Sequence, residues 1–178
     1  MTHLNVEFKA RNRDDERVRE VLQKYSAKYI GLDRQVDTYF NAGNGRLKLR
    51  EGNLENNLIH YLREDIEGPK SSIVNLYPVT SGSSLKEILT NSLGIEVVVD
   101  KKREIYFIGN VKIHIDEVVG LGNFIEVEAI DINGHIGKDR LEEQCELFKL
   151  EFCIDENDLI SCSYSDLLKK EIRENNKM

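Results

Sequence analysis

Residues 4–11 read Leu4-Asn-Val-Glu-Phe-Lys-Ala-Arg11 and alternate strictly between apolar and polar side chains. Because successive side chains of a strand point to opposite faces, this pattern predicts a strand whose polar face carries Asn5, Glu7, Lys9 and Arg11. The apolar face is suited to packing against helices. The fold therefore depends on whether the charged face meets solvent or lines an interior.

Seven further segments have the character of strands, and several of them are separated by short turn-forming sequences. They are residues 35–40, 45–50, 58–65, 72–77, 96–106, 111–118 and 124–130. Helical spacing of apolar residues follows the acidic residues 14–16, recurs at 84–93 and begins again at Lys138, and a charged helix is expected beyond about Tyr164. The pattern predicts one α+β domain of about eight strands, arranged as a barrel or a curled sheet.

The length of 178 residues fits a single domain with a sizeable buried core. We expect residues 1–160 to form the barrel domain and residues 161–178 to form a helical, partly frayed tail. The formal net charge of −7 argues against binding to a nucleic-acid backbone, which requires a basic surface. An anionic small molecule is still an acceptable ligand, because a concave site can concentrate cations locally.

The sequence contains no run of about 18 apolar residues and no apolar segment near its start, so we expect neither a membrane span nor a secretory signal. Its three cysteines lack the spacing of metal ligands, and an odd number argues against a disulfide framework. These features predict a cytoplasmic protein.

Long basic side chains recur on the polar faces of several predicted strands. The residues that share faces are Arg46, Lys48 and Arg50; Tyr61, Arg63 and Asp65; Lys101 and Arg103; Lys112, His114 and Asp116; and Glu126 and Glu128. For any one strand, a solvated polar face is the simplest interpretation. The repetition favours a closed sheet whose charged faces line a tunnel, although structural salt bridges would produce the same pattern.

A tunnel with both signs of charge has a chemical use. Lysine and arginine neutralise phosphate oxygens, and arginine often does so through two parallel hydrogen bonds. Carboxylates do not bind phosphate directly, but they hold Mg²⁺ or Mn²⁺, which bridge to phosphate oxygens. The pattern therefore indicates a site for a divalent metal and a polyphosphate.

The same segments resemble the CYTH proteins, a group that includes class IV adenylyl cyclases and thiamine triphosphatases and is also called the triphosphate tunnel metalloenzymes. The resemblance extends from about Leu4 to Asp158. Its pieces are residues 5–9, 35–40, 45–50, 61–63 with Lys70, 101–103, and 113–118 continuing through 120–128. Each piece alone is weak, whereas their order and spacing together are specific. The resemblance implies an eight-stranded antiparallel β-barrel, the triphosphate tunnel, with helices packed outside.

The resemblance also implies roles for individual residues. The residues expected to hold Mg²⁺ or Mn²⁺ are Glu7, Asp116, Glu126 and Glu128. The residues expected to bind the triphosphate are Lys9, Lys48, Arg50, Arg63, Lys70, Lys101 and Arg103, and among them Lys70 and Arg63 are expected to be catalytic. Asp37 and Tyr39 belong to a motif of the family and have a structural or a catalytic role. His114 is expected to be a hydrogen-bonded structural histidine, with acid–base catalysis or donation to phosphate as the alternatives.

The function implied is that of a class IV adenylyl cyclase, which converts ATP to cyclic AMP and pyrophosphate. One alternative is an inorganic or organic triphosphatase, similar to thiamine triphosphatase, that releases orthophosphate. Another is a non-catalytic protein that binds a nucleotide or polyphosphate, which Asn5 favours because the family has glutamate at that position. A barrel with merely structural charge pairs is a further alternative. We expect no nucleic-acid or membrane partner, and a homodimer is possible.

Overall fold

The computed structural model describes residues 2–63 and 68–175, which contain eight strands and four α-helices. The strands are β1 (Thr2–Arg11), β2 (Lys28–Phe40), β3 (Arg46–Glu51), β4 (Asn57–Arg63), β5 (Lys70–Pro78), β6 (Ile95–Ile108), β7 (Val111–Val118) and β8 (Gly122–Asp131). The helices are α1 (Asp15–Lys24), α2 (Leu85–Leu93), α3 (Lys138–Glu151) and α4 (Tyr164–Asn175). The predicted residues Glu64 and Asp65 lie outside the described part of the chain.

The eight strands form one closed antiparallel barrel in the order β1-β5-β4-β3-β2-β6-β7-β8. β1 closes it, because its residues pair with β5 on one side and with β8 on the other. Closure leaves no sheet edge and encloses one face of every strand. The predicted α+β fold with an eight-stranded barrel is confirmed.

β2 is longer than the sequence pattern predicts. It begins at Lys28 rather than at Gln35, and its additional residues pair with the C-terminal half of β6. Tyr29 and Ile30 are adjacent in this segment, so apolar and polar residues do not alternate in it. Tyr29, Ile30 and Leu32 are also 53%, 42% and 44% exposed, so the segment has no buried apolar face. Hydrogen bonding to β6 makes residues 28–34 part of the strand. This pairing cannot be predicted from the pattern of residues within the segment itself.

Helices α1 and α3 cover the outside of β1, β7 and β8. Val6 and Phe8 are fully buried there, in a cluster with Leu22 and Leu141 from the two helices. The opposite face of β1 is buried as well, since Asn5, Glu7 and Lys9 are only 4%, 8% and 4% exposed. Asn5, Glu7 and Lys9 of the predicted polar face therefore line the interior of the barrel, whereas Arg11 at the end of β1 is exposed.

A second apolar cluster also faces the interior. It includes Tyr39, Tyr61, Val97, Val99, Phe124 and Tyr164. Residues 159–164 run beside β1, where Ile160 N donates a hydrogen bond to Lys9 O over 2.8 Å, and they lead into α4. Among the described helices, none is long and apolar enough to span a membrane.

Candidate functional site

A cavity of about 330 Å³ lies within the barrel, a volume typical of a site for a small molecule. Its basic lining residues are Lys9, Lys48, Arg50, Lys101, Arg103 and Lys112. Its acidic lining residues are Glu7, Glu55, Glu126 and Glu128. Within the described residues, a chain of net negative charge thus concentrates six basic side chains in one concave site, and anion binding requires such a local excess of cations.

Asp37 on β2 organises the cations on one wall. Its carboxylate accepts hydrogen bonds from Lys48 Nζ at 3.0 Å, from Lys101 Nζ at 2.7 Å and from Arg50 Nε and Nη2 at 2.9 and 3.0 Å. Burial alone would raise the pKa of Asp37, but Arg50, Lys101 and Lys48 outweigh it and hold that pKa well below its usual value. Asp37 therefore stays ionised and holds three predicted phosphate-binding residues in one place.

Arg103 connects β6 to the carboxylates of β7 and β8. Its Nε donates to Asp116 Oδ1 at 2.6 Å, and its Nη2 donates to Glu126 Oε2 at 2.6 Å and also to Asp116 Oδ2. Asp116 Oδ2 accepts a further bond from the Tyr164 hydroxyl at 2.7 Å. Both oxygens of Asp116 are therefore engaged by other side chains. Both oxygens of Glu126 also accept hydrogen bonds, from Lys9 and Arg103, and Glu126 lines the cavity.

β1 and β8 are adjacent, and this adjacency brings the remaining carboxylates together. Glu7 is aligned with Glu128, and Lys9 with Glu126. Lys9 Nζ donates to Glu126 Oε1 at 2.6 Å. Burial, followed by the neighbouring charge of Glu126, raises the pKa of Glu128 to about 7. A cation bound between closely spaced carboxylates reduces the electrostatic repulsion between them.

Glu55 is a site residue that the sequence does not reveal. It lies between β3 and β4, and its carboxylate accepts from Arg50 Nη1 at 3.0 Å and from Lys112 Nζ. Buried Asp33 holds the segment in place by accepting from the backbone N–H groups of Leu54 and Glu55 at 2.9 and 3.0 Å. Glu55 lies in a segment without strand or helix periodicity, so no sequence signal identifies it. Its partner Lys112, in contrast, lies on the predicted strand face that also carries His114 and Asp116.

His114 is completely buried on β7, opposite Glu126 on β8. Among the described residues, neither of its ring nitrogens has a hydrogen-bond partner, so the expected hydrogen-bonded structural histidine is not observed. Burial and then the nearby Arg103 charge lower its pKa to about 3, which keeps the imidazole neutral. Asn5 Oδ1 is also buried without a hydrogen-bond partner in the described part of the chain.

Lys70 and Arg63 are the two residues that the sequence predicts to be catalytic. Lys70 is 2% exposed, and its Nζ donates to the carbonyl oxygens of Ile160 and Ser161 at 3.1 and 2.7 Å, in the segment that leads into α4. The backbone of Arg63 ends β4, but its side chain lies outside the described residues. Their catalytic roles stay predictions, as do those of the other predicted site residues.

The donor set beside the cavity fits a divalent metal ion. Ligand atoms of His114, Glu126 and Glu128 all lie within 4.8 Å of one another. Glu7 is aligned with Glu128 on the adjacent strand and could contribute a further oxygen. Carboxylate oxygens are the ligands that Mg²⁺ and Mn²⁺ prefer.

The CYTH domain family model matches residues 3–161. A protein of Methanocaldococcus jannaschii named "putative adenylate cyclase" is 30% identical over 185 residues, which cover 92% of this chain and 98% of that protein. Among solved structures, one of a "putative adenylate cyclase" from Vibrio parahaemolyticus superposes with a TM-score of 0.76 at 20% identity, over 93% of this chain and 98% of the other.

Two further solved structures share the fold. The PH1012 protein of Pyrococcus horikoshii has a TM-score of 0.75 at 21% identity, over 92% of this chain and 98% of the other. A Hippeastrum protein, described as a "putative adenylyl cyclase" that reveals a dominant triphosphatase activity, has a TM-score of 0.59 at 11% identity, over 95% and 96% of the two chains. At these identities the likeness concerns the fold.

Proposed function

The chain belongs to the CYTH domain family, and from this premise we propose that it is a metal-dependent enzyme that acts on a triphosphate. The reaction we favour is that of a class IV adenylyl cyclase, the conversion of ATP to cyclic AMP and pyrophosphate. The relative from Methanocaldococcus jannaschii, which carries the name of an adenylate cyclase and aligns over nearly its whole length, supports this choice.

One observation carries the proposal: carboxylates and cations from different strands converge on a single internal cavity. Glu7 and Glu126 come from β1 and β8, whereas Arg50 and Lys101 come from β3 and β6. A metal–triphosphate complex requires both kinds of group within a few ångströms. The charged side chains of an ordinary sheet face would instead be exposed to solvent.

The cations have distinct proposed roles. Lys48, Arg50 and Lys101, held by Asp37, bind the triphosphate oxygens. Lys9 and Arg103, which lie beside Glu126, stabilise the charge that develops as phosphate is transferred. Since these groups are fixed before the substrate enters, little reorganisation is needed during the reaction. Lys70 and Arg63 are retained as proposed catalytic residues.

The proposed metal ligands are Glu7, Glu126 and Glu128, together with Asp116. When bound, Mg²⁺ or Mn²⁺ would polarise a phosphoryl oxygen and neutralise charge. In the proposed reaction the ribose 3′-hydroxyl forms a bond to the α-phosphorus while the bond from that phosphorus to the β-phosphate oxygen breaks. Pyrophosphate leaves, and the hydroxyl proton passes to solvent.

The apolar part of the cavity supports an organic rather than an inorganic substrate. Ile59 is aligned with Leu76, and Tyr61 with Val74, so four adjacent side chains of β4 and β5 form one mainly apolar wall. Inorganic triphosphate has no group that gains from such a wall. A base or another ring gains from burial against it.

A triphosphatase is the second candidate, and the fold shared with the Hippeastrum protein of dominant triphosphatase activity supports it. In this case water would attack the terminal phosphorus and orthophosphate would leave. A protein that binds a polyphosphate without turnover is the third. Asn5 favours it, because an uncharged side chain on the metal-facing strand weakens metal binding.

Product analysis distinguishes the candidates. The purified protein is incubated with ATP, inorganic triphosphate or thiamine triphosphate, each with Mg²⁺ or Mn²⁺. Cyclic AMP with pyrophosphate supports the cyclase, and orthophosphate supports the triphosphatase. Stabilisation by a ligand without any product supports the binder.

The variant Glu126→Gln is expected to abolish metal-dependent turnover, with Glu117→Gln on the exposed face of β7 as the matched control. Normal turnover by a folded Glu126→Gln protein would contradict the proposed metal site. The cytoplasmic location, the homodimer, and the lack of nucleic-acid and membrane partners stay predictions.

A further inference from the structure

His114 lies between two carboxylates. Its Nδ1 lies 3.5 Å from Glu126 Oε2 and 3.9 Å from Glu128 Oε1. The imidazole comes from β7 and both carboxylates come from β8, so barrel register fixes the relative positions of their backbones. The three groups converge on one small volume rather than simply following one another along the chain.

His114 differs from the polar groups around it in its hydrogen bonding. Lys9, Arg103 and Glu126 each form short, charge-assisted bonds. By contrast, both nitrogens of His114 are buried without a hydrogen-bond partner in the described ranges. A buried polar group without a partner costs free energy, and such a group in a folded protein requires an explanation.

A bound cation provides that explanation. The ligand atoms of the three residues lie within 4.8 Å of one another, which leaves one ion able to contact all of them after small side-chain adjustments. A neutral imidazole nitrogen is a common metal ligand. Magnesium, in contrast, prefers oxygen ligands and binds through one or two carboxylates and water. A nitrogen donor in the set therefore shifts preference towards first-row transition metals.

We propose that His114 is a nitrogen ligand, with Glu126 and Glu128, in a site that takes Mn²⁺ or a similar divalent transition metal ion in preference to Mg²⁺. The inference rests on the proposed metal-dependent function and adds to it a ligand and a metal class. It also gives Asn5 a context: β1 lacks a carboxylate at this position, and β7 supplies a neutral nitrogen donor as a ligand instead.

The first test measures metal binding directly, without turnover. Metal-stripped protein is titrated with Mn²⁺ and with Mg²⁺ by calorimetry, and we expect tighter binding of Mn²⁺. His114→Leu should weaken Mn²⁺ binding by at least about tenfold. Removing a residue that only hydrogen-bonds to a metal ligand already costs about that much, and His114 is proposed to bind the metal itself. His114→Asp, which supplies oxygen in place of nitrogen, should narrow the difference between the two ions. His135→Leu, on an exposed loop, is the matched control.

The second test needs no variant and so does not depend on the folding of His114→Leu. Wild-type protein labelled with ¹⁵N-histidine is loaded with Mn²⁺ and studied by electron spin-echo envelope modulation. Coupling to one directly bound imidazole nitrogen is expected. A spectrum without such coupling, or a folded His114→Leu protein with unchanged Mn²⁺ affinity, overturns the proposal.

The test of His114 as a metal ligand and the test of the enzymatic function can give different results. Nitrogen coupling without turnover of any triphosphate would support the ligand and contradict the enzyme. Turnover with Mg²⁺ or Mn²⁺ but no nitrogen coupling would support the enzyme and contradict the ligand.

Discussion

Lys101 Nζ donates a hydrogen bond to Asp37 Oδ2 over 2.7 Å inside the barrel, and both side chains are almost completely buried. Lys48 and Arg50 share the same carboxylate. One anion therefore holds three cations that would otherwise repel one another in a medium of low polarity. The candidate phosphate site depends on this carboxylate even though Asp37 need not touch the substrate.

Replacing Asp37 with asparagine should destabilise the protein strongly. The variant keeps the size of the side chain but leaves three buried cations without their shared counter-charge, and breaking a buried ion pair in this way costs about 3–5 kcal/mol. The free energy of unfolding in urea measures the effect. Asp100→Asn, on the exposed face of β6, should change it little; equal stability of the two variants would contradict the shared role of Asp37.

Lys101 should make triphosphate binding depend on pH. Burial first, and then the neighbouring Arg50 and Arg103 charges, lower its pKa from 10.5 to about 7 against the opposing influence of Asp37. At pH 8 much of Lys101 is then neutral in the free protein, and a bound triphosphate favours its charged form. Binding should therefore take up a proton, which calorimetry in buffers of different ionisation enthalpy detects.

The sign of the effect on stability follows from the same shift. Between pH 7 and 10.5 the unfolded chain binds more protons at Lys101 than the folded protein does, so this residue makes stability increase with pH across that range. Lys101→Met should lose both the proton uptake and this pH dependence. Lys102→Met, whose side chain is exposed on the same strand, should keep both.

Glu55→Gln should strengthen triphosphate binding. In the free protein the Glu55 carboxylate occupies donors of Arg50 and Lys112, and its pKa is depressed because these two charges outweigh the effect of burial. An incoming phosphate has to compete with this internal anion. Removing its charge should increase affinity roughly tenfold, the equivalent of about 1.4 kcal/mol.

Titration with a non-hydrolysable ATP analogue measures that affinity. Glu51→Gln, a change of the same kind at the end of β3, is the control, because Glu51 pairs with Lys86 rather than with the cavity cations. A weaker complex with Glu55→Gln would show that the carboxylate organises the cations instead of competing for them.

Tyr164→Phe should destabilise the protein by about 1.5–3 kcal/mol, the usual value of a hydrogen bond to a charged group. The variant removes the buried bond from the Tyr164 hydroxyl to Asp116 while it keeps the ring that packs on Phe124. Denaturant unfolding measures the loss. Tyr77→Phe provides the control, since Tyr77 is 68% exposed; a Tyr164→Phe protein as stable as that control would contradict the assigned bond.

The sequence alone determined the strands and their charged faces. Alternation in residues 4–11 and 45–50 places Glu7 with Lys9, and Lys48 with Arg50, on common faces, because side-chain direction in a strand is a local property. The ordered motifs then indicated the family and, through it, the closed barrel. The N-terminal half of β2 was missed, because pairing with β6 rather than local alternation defines it.

The tertiary structure decided which side chains meet. Lys101 lies 64 residues from Asp37 in sequence, and their contact depends on the register between β2 and β6. The register of the β7–β8 hairpin sets His114 against Glu126, and the closed barrel brings Glu55 from a segment without periodicity to Lys112. Strand character follows from neighbours in the chain, whereas the pairing of charges follows from strand order and register, which long-range contacts alone specify.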